Sequence, residues 1–260
     1  MAKEALISFD LKADFGFLKK PDYNDGILLS YNMLHKPALL GILGAITGMA
    51  GYSIPGELPE YYTRLSSLAV GIAPLNHEKG IFQKTTVKYT NTAGYANDDG
   101  TLLIEETMLV KPGYRCYLLL DLEHEEQATL YMNLKNNQAV YIPYMGKNEY
   151  QAWLDGPVTE YNCKRYVAEG EFSIDSLFIK DGSIRNRKVN AGFSFASRSM
   201  MNKGAFCYFE RLPVGFDERL RQYNYCDFAF TDWVLKPDSV IEDLYEITDP
   251  GGIKSIIQLF

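Results

Sequence analysis

Histidine and tryptophan are scarce in this chain of 260 residues, at three and two copies. His35, His77 and His124 fall into no HxxE, HxH or HExxH spacing, so the close ligand pairs of a metal site are missing. No metal and no cofactor is expected. GxSxG, Walker A and GxGxxG are absent too, which sets aside nucleophile-elbow hydrolases and phosphate-cradling nucleotide enzymes. The four cysteines, Cys116, Cys163, Cys207 and Cys226, are scattered with no CxxC pair. They read as reduced, mostly buried thiols rather than a disulfide framework. The longest apolar stretch, Pro37 to Ala50, carries three glycines and is shorter than the roughly 20 residues that span a bilayer. The N-terminal residues run into a strand pattern with no apolar signal region, so a cytoplasmic protein without membrane contact is expected. Positive charge is in deficit as well: 26 Lys and Arg against 33 Asp and Glu leave a net charge of −7. Bulk attraction to nucleic acid is thereby excluded, and any polyanion needs a local basic track.

What is present is globular: 47% hydrophobic and 23% charged residues, enough for a substantial core. From Leu6 to Ala13, Ile7, Phe9, Leu11 and Ala13 share one face and Ser8, Asp10 and Lys12 the other, the period of a half-buried strand. Pro37 opens a helix running to about Met49, with Leu39, Leu43 and Ile46 on one stripe and Gly41, Gly44 and Gly48 on a second. Glycines inside a helix cost roughly 1 kcal/mol each, which implies that something packs close to this backbone; a sheet is the expected partner. A second helix is expected over Glu57–Leu68, strands over Ile81–Asn91, Leu102–Val110 and Arg115–Leu122, a helix over Glu123–Asn136 and a short strand over Ala139–Ile142. The order is β-α-(α)-β-β-α-β, the ferredoxin-like split βαβ pattern of an α+β fold. It implies helices on one face of an antiparallel sheet, with the other face open for binding. An elongated hairpin spans residues 81–110. Strand signals at Arg165–Phe172, Leu177–Ile179, Val189–Ala196 and Ala205–Arg211 make the remainder β-rich. The turn Leu154-Asp155-Gly156-Pro157 divides the chain into residues 1–156 and 157–260.

Three segments suit an anion. Ser30, Tyr31, Asn32, His35 and Lys36 precede a helix start, where backbone N–H groups and the dipole favour negative charge. Lys84, Thr86, Lys88, Tyr89 and Asn91 alternate along a strand so that cations and hydroxyls can follow a backbone while an aromatic meets a base. Gly146, Lys147 and Asn148 form a second glycine-led start. The plainer readings are a capped helix, a solvated hairpin face and a turn. Between Lys180 and Lys203, Arg185, Arg187, Lys188 and Arg198 add to a basic run, whereas residues 217–249 are acidic.

In this order, the pieces resemble the CRISPR-associated Cas family five, the RAMP-superfamily subunit that caps the crRNA 5′ end in the Cascade surveillance complex. The matching stretches are Ile7–Ala13, Ser30-Tyr31 through His35-Lys36-Pro37 to Ala45, Thr85–Asn91, Leu109–Tyr114, Pro143–Tyr150 and Glu210–Pro213. The helix start and the Gly146-Lys147-Asn148-Glu149-Tyr150 segment are the most specific, and the set is most similar to type I-B members. The resemblance implies a ferredoxin-like (RRM/RAMP) domain, a hairpin thumb at about 81–110 and a smaller β-rich C-terminal region. It implies a pocket for the crRNA 5′ handle built from Tyr31, Asn32, His35, Lys36, Gly146, Lys147 and Asn148. The implied partners are the backbone subunit (Cas family seven), the large subunit (Cas family eight) and target DNA within the complex. In the type I-C branch this subunit cleaves precursor crRNA without metal, using a Tyr, Lys and His set. Tyr31, His35 and Lys36 supply those types here, but the His35-Lys36 order is reversed and lies at a helix start. A non-catalytic RNA-binding role is expected, with metal-independent endoribonuclease as the alternative.

Overall fold

β1 (Glu4–Ala13) forms where the alternation predicts, with Ile7, Phe9, Leu11 and Ala13 buried. The computed structural model describes residues 4–22, 26–90, 102–181, 194–196 and 205–260. Its architecture is mixed α+β and mostly sheet. β1 sits centrally in the main sheet, between β7 (Gly113–Asp121) and β9 (Thr159–Arg165). β4 (Ala69–Pro74) pairs with the far side of β7, and β13 (Leu244–Thr248) and β14 (Lys254–Gln258) extend the sheet beyond β9. β8 (Ala152–Leu154) pairs with the end of β1. Every one of these pairings is antiparallel. Phe260 exchanges backbone hydrogen bonds with Val70 at 2.9 and 3.2 Å, so the outer edge of β4 is partly covered.

Two expectations about the strands are corrected. β4 has no counterpart among the expected strands, because its run Ala69-Val-Gly-Ile-Ala-Pro74 is apolar throughout: Val70 and Ile72 join the main core while Ala73 joins a second cluster. A strand buried on both faces carries no alternation. Ala139–Ile142, expected as a strand, is instead a loop in which the Val140 and Tyr141 amides donate to Ile46 O and Ala45 O. It satisfies carbonyls that a helix end leaves unpaired. In the C-terminal region, Arg165–Phe172 is not a strand, since β9 ends at Arg165. A three-stranded sheet, β10 (Phe178–Asp181), β12 (Tyr223–Thr231) and β11 (Cys207–Phe216), packs its Leu212, Cys226 and Phe228 into the main core. Of the cysteines, Cys116 and Cys226 are buried, Cys207 is half-buried and Cys163 is exposed; all four are free.

α1 (Lys36–Thr47) is buried nearly all round, with Leu39, Leu40, Ile42, Leu43 and Ile46 in the core. α3 (Glu125–Lys135) lies beside it and contributes Leu130 and Leu134. The smooth stripe of α1 faces a helix rather than a sheet: Tyr61 of α2 (Glu60–Leu65) packs on Gly41 and Gly44. A Cβ at Gly44 would overlap the Tyr61 Cβ. Gly44→Ala is therefore expected to cost about 2 kcal/mol of stability, read by urea denaturation, and Tyr61→Gly, which removes the opposing Cβ, should make the two changes less than additive. An unchanged midpoint for the single variant would contradict this packing.

The hairpin is present as β5 (Lys84–Thr90) and β6 (Leu103–Val110), in register from Lys84↔Leu109 to Thr90↔Leu103. β2 (Phe15–Gly16) and β3 (Ile27–Leu28) also pair with β6. Asn91, the loop tip at 94–100 and the basic residues Arg185, Arg187, Lys188, Arg198 and Lys203 lie outside the described residues. The face of the main sheet away from α1 is partly buried. Leu6, Tyr117, Ile247, Ile257 and Leu259 form an apolar cluster there. Its polar groups are spent on one another, with Asp10 bound by Arg115 at 2.7 and 2.9 Å and Ser8 bonded to Tyr161 at 2.9 Å. Among the described residues, no helix is long and apolar enough to cross a membrane.

Candidate functional site

The segment leading into α1 makes few backbone bonds of its own, so its polar groups must find partners elsewhere. The Asn32 side chain accepts from Phe82 N at 3.0 Å and donates to Gly80 O at 2.8 Å, while its carbonyl accepts from the Tyr114 hydroxyl at 2.6 Å. The Asn32 and Met33 amides donate to the Glu210 carboxylate at 3.1 and 3.0 Å. Glu210 also accepts from the Tyr208 hydroxyl at 2.8 Å and pairs with Lys20 at 3.2 Å. Asn32 thus ties the base of the hairpin to the start of α1 and is committed inward.

His35 is the N-cap of α1, its Nδ1 accepting from the Ala38 amide at 3.3 Å. Pro37 has no N–H, and the Leu39 amide already donates to His35 O. The amides expected to greet an anion are largely taken within the helix start itself. Burial drives the His35 pKa down to about 3, so the ring is neutral, and with Nδ1 accepting its proton sits on Nε2. Among the described residues the imidazole's hydrogen bond is the one that Nδ1 accepts from Ala38. Tyr31 lies edge-on to the imidazole at 5.2 Å, buried. Burial, with Tyr225 beside it, holds its phenol far above the usual range. Lys36 is also buried, and its ammonium donates to the Phe260 main-chain oxygen at 3.0 Å.

Lys147 is built into the hairpin. Its Nζ lies 2.8 Å from the Glu106 carboxylate, 2.9 Å from the Tyr89 hydroxyl and 3.2 Å from Glu149. The Tyr89 and Tyr150 hydroxyls donate to the same Glu106, whose side chain is 2% exposed. Burial pulls the Lys147 pKa down, but the hydrogen bonds to Glu106, Tyr89 and Glu149 outweigh it and leave the ammonium held above its ordinary value. Gly146 permits this placement: its φ is +87°, and a Cβ would run into the Phe17 carbonyl oxygen. Of the other hairpin residues, Lys88 pairs across the strands with Glu105 at 2.6 Å, and Lys84, Thr86 and Tyr89 are exposed. Asn148 is exposed on the turn.

These pieces frame a cleft of about 360 Å³ at the start of α1. His35, Pro37 and Ala38 line it from the helix; Phe17, Lys19, Gly146 and Lys147 come from the β2–β3 connection and the glycine turn. Tyr52, Tyr61, Phe216 and Tyr223 complete it with aromatic rings. The cleft brings His35 together with Gly146 and Lys147, with Tyr31 edge-on to the imidazole behind the lining. Asn32, Lys36 and the β5 residues do not line it. The aromatic half had no local signal. Phe216 and Tyr223 are cross-strand partners of the β11–β12 hairpin, stacked at 4.7 Å and 27°, and only the fold carries them to α1.

No family model matches the chain, and no curated protein matches it. Among solved structures it is similar to a CRISPR protein from Archaeoglobus fulgidus at 14% identity, covering 98% of this chain and 99% of that one, with a TM-score of 0.48. A chain of a CRISPR RNA-guided surveillance complex matches at 11% identity over 88% and 91% of the two chains, TM-score 0.46. A chain of the Type III-B Cmr-beta complex bound to cognate target RNA and AMPPnP matches at 13% identity over 90% and 86%, TM-score 0.45.

Proposed function

We propose that this chain is a non-catalytic RNA-binding subunit of a type I CRISPR Cascade complex, most similar to type I-B members, that holds the 5′ handle of crRNA. The observation that carries the reading is the aromatic cleft at the start of α1, with Lys19 and Lys147 on its lining and the β5–β6 hairpin adjoining it. Unpaired ribonucleotides are gripped by that combination of ring faces and scattered cations. The strand order β9-β1-β7-β4, antiparallel throughout and joined by α1 and α3, supports a ferredoxin-like domain of the RAMP kind, with the β5–β6 hairpin as its thumb. The acidic stretch 217–249 suits contact with a basic neighbour, and RNA affinity shared with the backbone (Cas family seven) and large (Cas family eight) subunits fits the net charge of −7. Target DNA is reached within that assembly.

The absence of catalysis is part of the same proposal. A metal-free ribonuclease needs a base for the 2′-hydroxyl and a cation for the developing charge. His35 spends Nδ1 on its helix, Tyr31 is buried and protonated, and Lys36 is bonded to Phe260. Tagged full-length protein purified from its native host is expected to bring down small RNAs sharing one 5′ tag, together with other Cascade subunits. The same preparation should leave precursor crRNA intact in EDTA. Recovery without RNA would overturn the binding role, and cleavage at the handle boundary, lost on His35→Asn, would make the protein a nuclease instead.

A further inference from the structure

We propose that the cleft is a pocket for a single unstacked nucleobase, with Tyr223 offering a ring face and the His35 Nε2–H reading an acceptor on the base edge. The inference rests on the RNA-binding reading above and specifies what part of the RNA the cleft takes.

Size is the first constraint. At about 360 Å³, the cleft sits near the lower end of the roughly 300–1,000 Å³ of small-ligand sites, room for one nucleotide and not for a run of them. Lining chemistry is the second. Aromatic rings dominate, and the one deeply buried polar side chain is His35, 5% exposed. A sugar or a free phosphate seeks several buried donors, whereas a flat heteroaromatic ring needs faces and one or two edge contacts. His35 meets that need in an unusual way. Capping α1 through Nδ1 locks the tautomer, and Tyr31 at 5.2 Å and Tyr223 at 5.8 Å hold the ring edge-on. With Nδ1 taken by Ala38, the Nε2–H is the edge left for a ligand, on a side chain that lines the cleft. Lys19, exposed beside the opening, is the cation placed for the attached phosphate.

The test uses the full chain with two probes. One is a fluorescein-labelled, mixed-sequence single-stranded RNA of about eight nucleotides, followed by anisotropy. The other is a set of 5′-mononucleotides (AMP, GMP, CMP, UMP) beside ribose 5-phosphate, followed by saturation-transfer NMR. Base protons of at least one mononucleotide should receive saturation, ribose 5-phosphate should not, and the RNA should displace the nucleotide. Tyr223→Ala should weaken RNA binding about tenfold and remove the nucleotide signal. Tyr223→Leu, which keeps apolar bulk, should do the same if loss of the ring and not of the fold is responsible. His35→Asn keeps an N-cap acceptor for Ala38 and should weaken RNA binding severalfold while erasing the differences between nucleotides. RNA bound equally by wild type and all three variants, with no transfer to any nucleotide, overturns the pocket and leaves the RNA reading standing. Nucleotides seated in the cleft without RNA binding overturn the RNA reading and keep the pocket. Binding of neither probe overturns both.

Discussion

Replacing Lys147 with methionine should lower the stability of the protein by about 3–5 kcal/mol, the cost of leaving a buried charge without its partner. The Glu106 carboxylate is 2% exposed and the Lys147 side chain 24%, and the pair is 2.8 Å apart. Tyr89 and Tyr150 supply the remaining hydrogen bonds to Glu106, but neither carries charge. Methionine preserves the length of the stem, which packs near the Phe17, Tyr89 and Tyr150 rings, so the loss is electrostatic rather than a cavity. Combining Lys147→Met with Glu106→Gln should recover most of the deficit, because a neutral amide in that position is cheaper to bury. Urea melts of the two single variants and the double give the coupling directly. A Lys147→Met chain within 1 kcal/mol of wild type, on the scale expected of surface pairs, would show that the ion pair does not hold the hairpin to the glycine turn.

The second large effect concerns pH. His35 is neutral in the fold with a pKa of about 3 because burial excludes its charged form, whereas in the unfolded chain it returns to about 6.5. Between those values the unfolded state binds a proton that the folded state refuses. The stabilisation is therefore complete above pH 6.5 and declines as the pH falls toward 3. His77, lowered by burial as well, adds in the same direction. Carboxylates held low, such as Glu149 and Glu246, act only below about 4.5, and Asp175, raised by burial, acts in the opposite sense, so the His35→Asn comparison carries the assignment over the interval from 6.5 to 4.5. Over it the folded state should lose on the order of 2 kcal/mol through His35. Denaturant midpoints across that interval should fall steadily in wild type and much less in His35→Asn. A flat wild-type profile would mean that the imidazole is not buried as described.

Both effects hang on contacts that no local pattern announces. β1, α1, α3 and the β5–β6 hairpin are legible because each advertises its solvent boundary within a few residues, by period two or by helical spacing. Pro37 and the polar residues before it mark the helix start, and Gly146 with φ +87° marks the turn that brings Lys147 inward. β4 is hidden because both its faces are buried, and Ala139–Ile142 misleads because apolar residues there serve the end of a helix.

In the candidate site the divide is sharper. Lys36 and Lys147 read alike in the sequence, each a cation beside a helix start or glycine turn. One meets Phe260, 224 positions away, and the other Glu106, 41 away. Asn32 is claimed by Glu210 across 178 positions, which turns an expected ligand contact into a structural joint. Composition and periodicity settled the class of fold, the principal elements and the absence of any bulk positive charge, since those follow from short-range burial preferences and simple counting. Which polar groups remain free to meet a partner, and which rings surround them, was decided by tertiary structure alone, because a side chain's availability depends on every distant group that folding brings within hydrogen-bonding range.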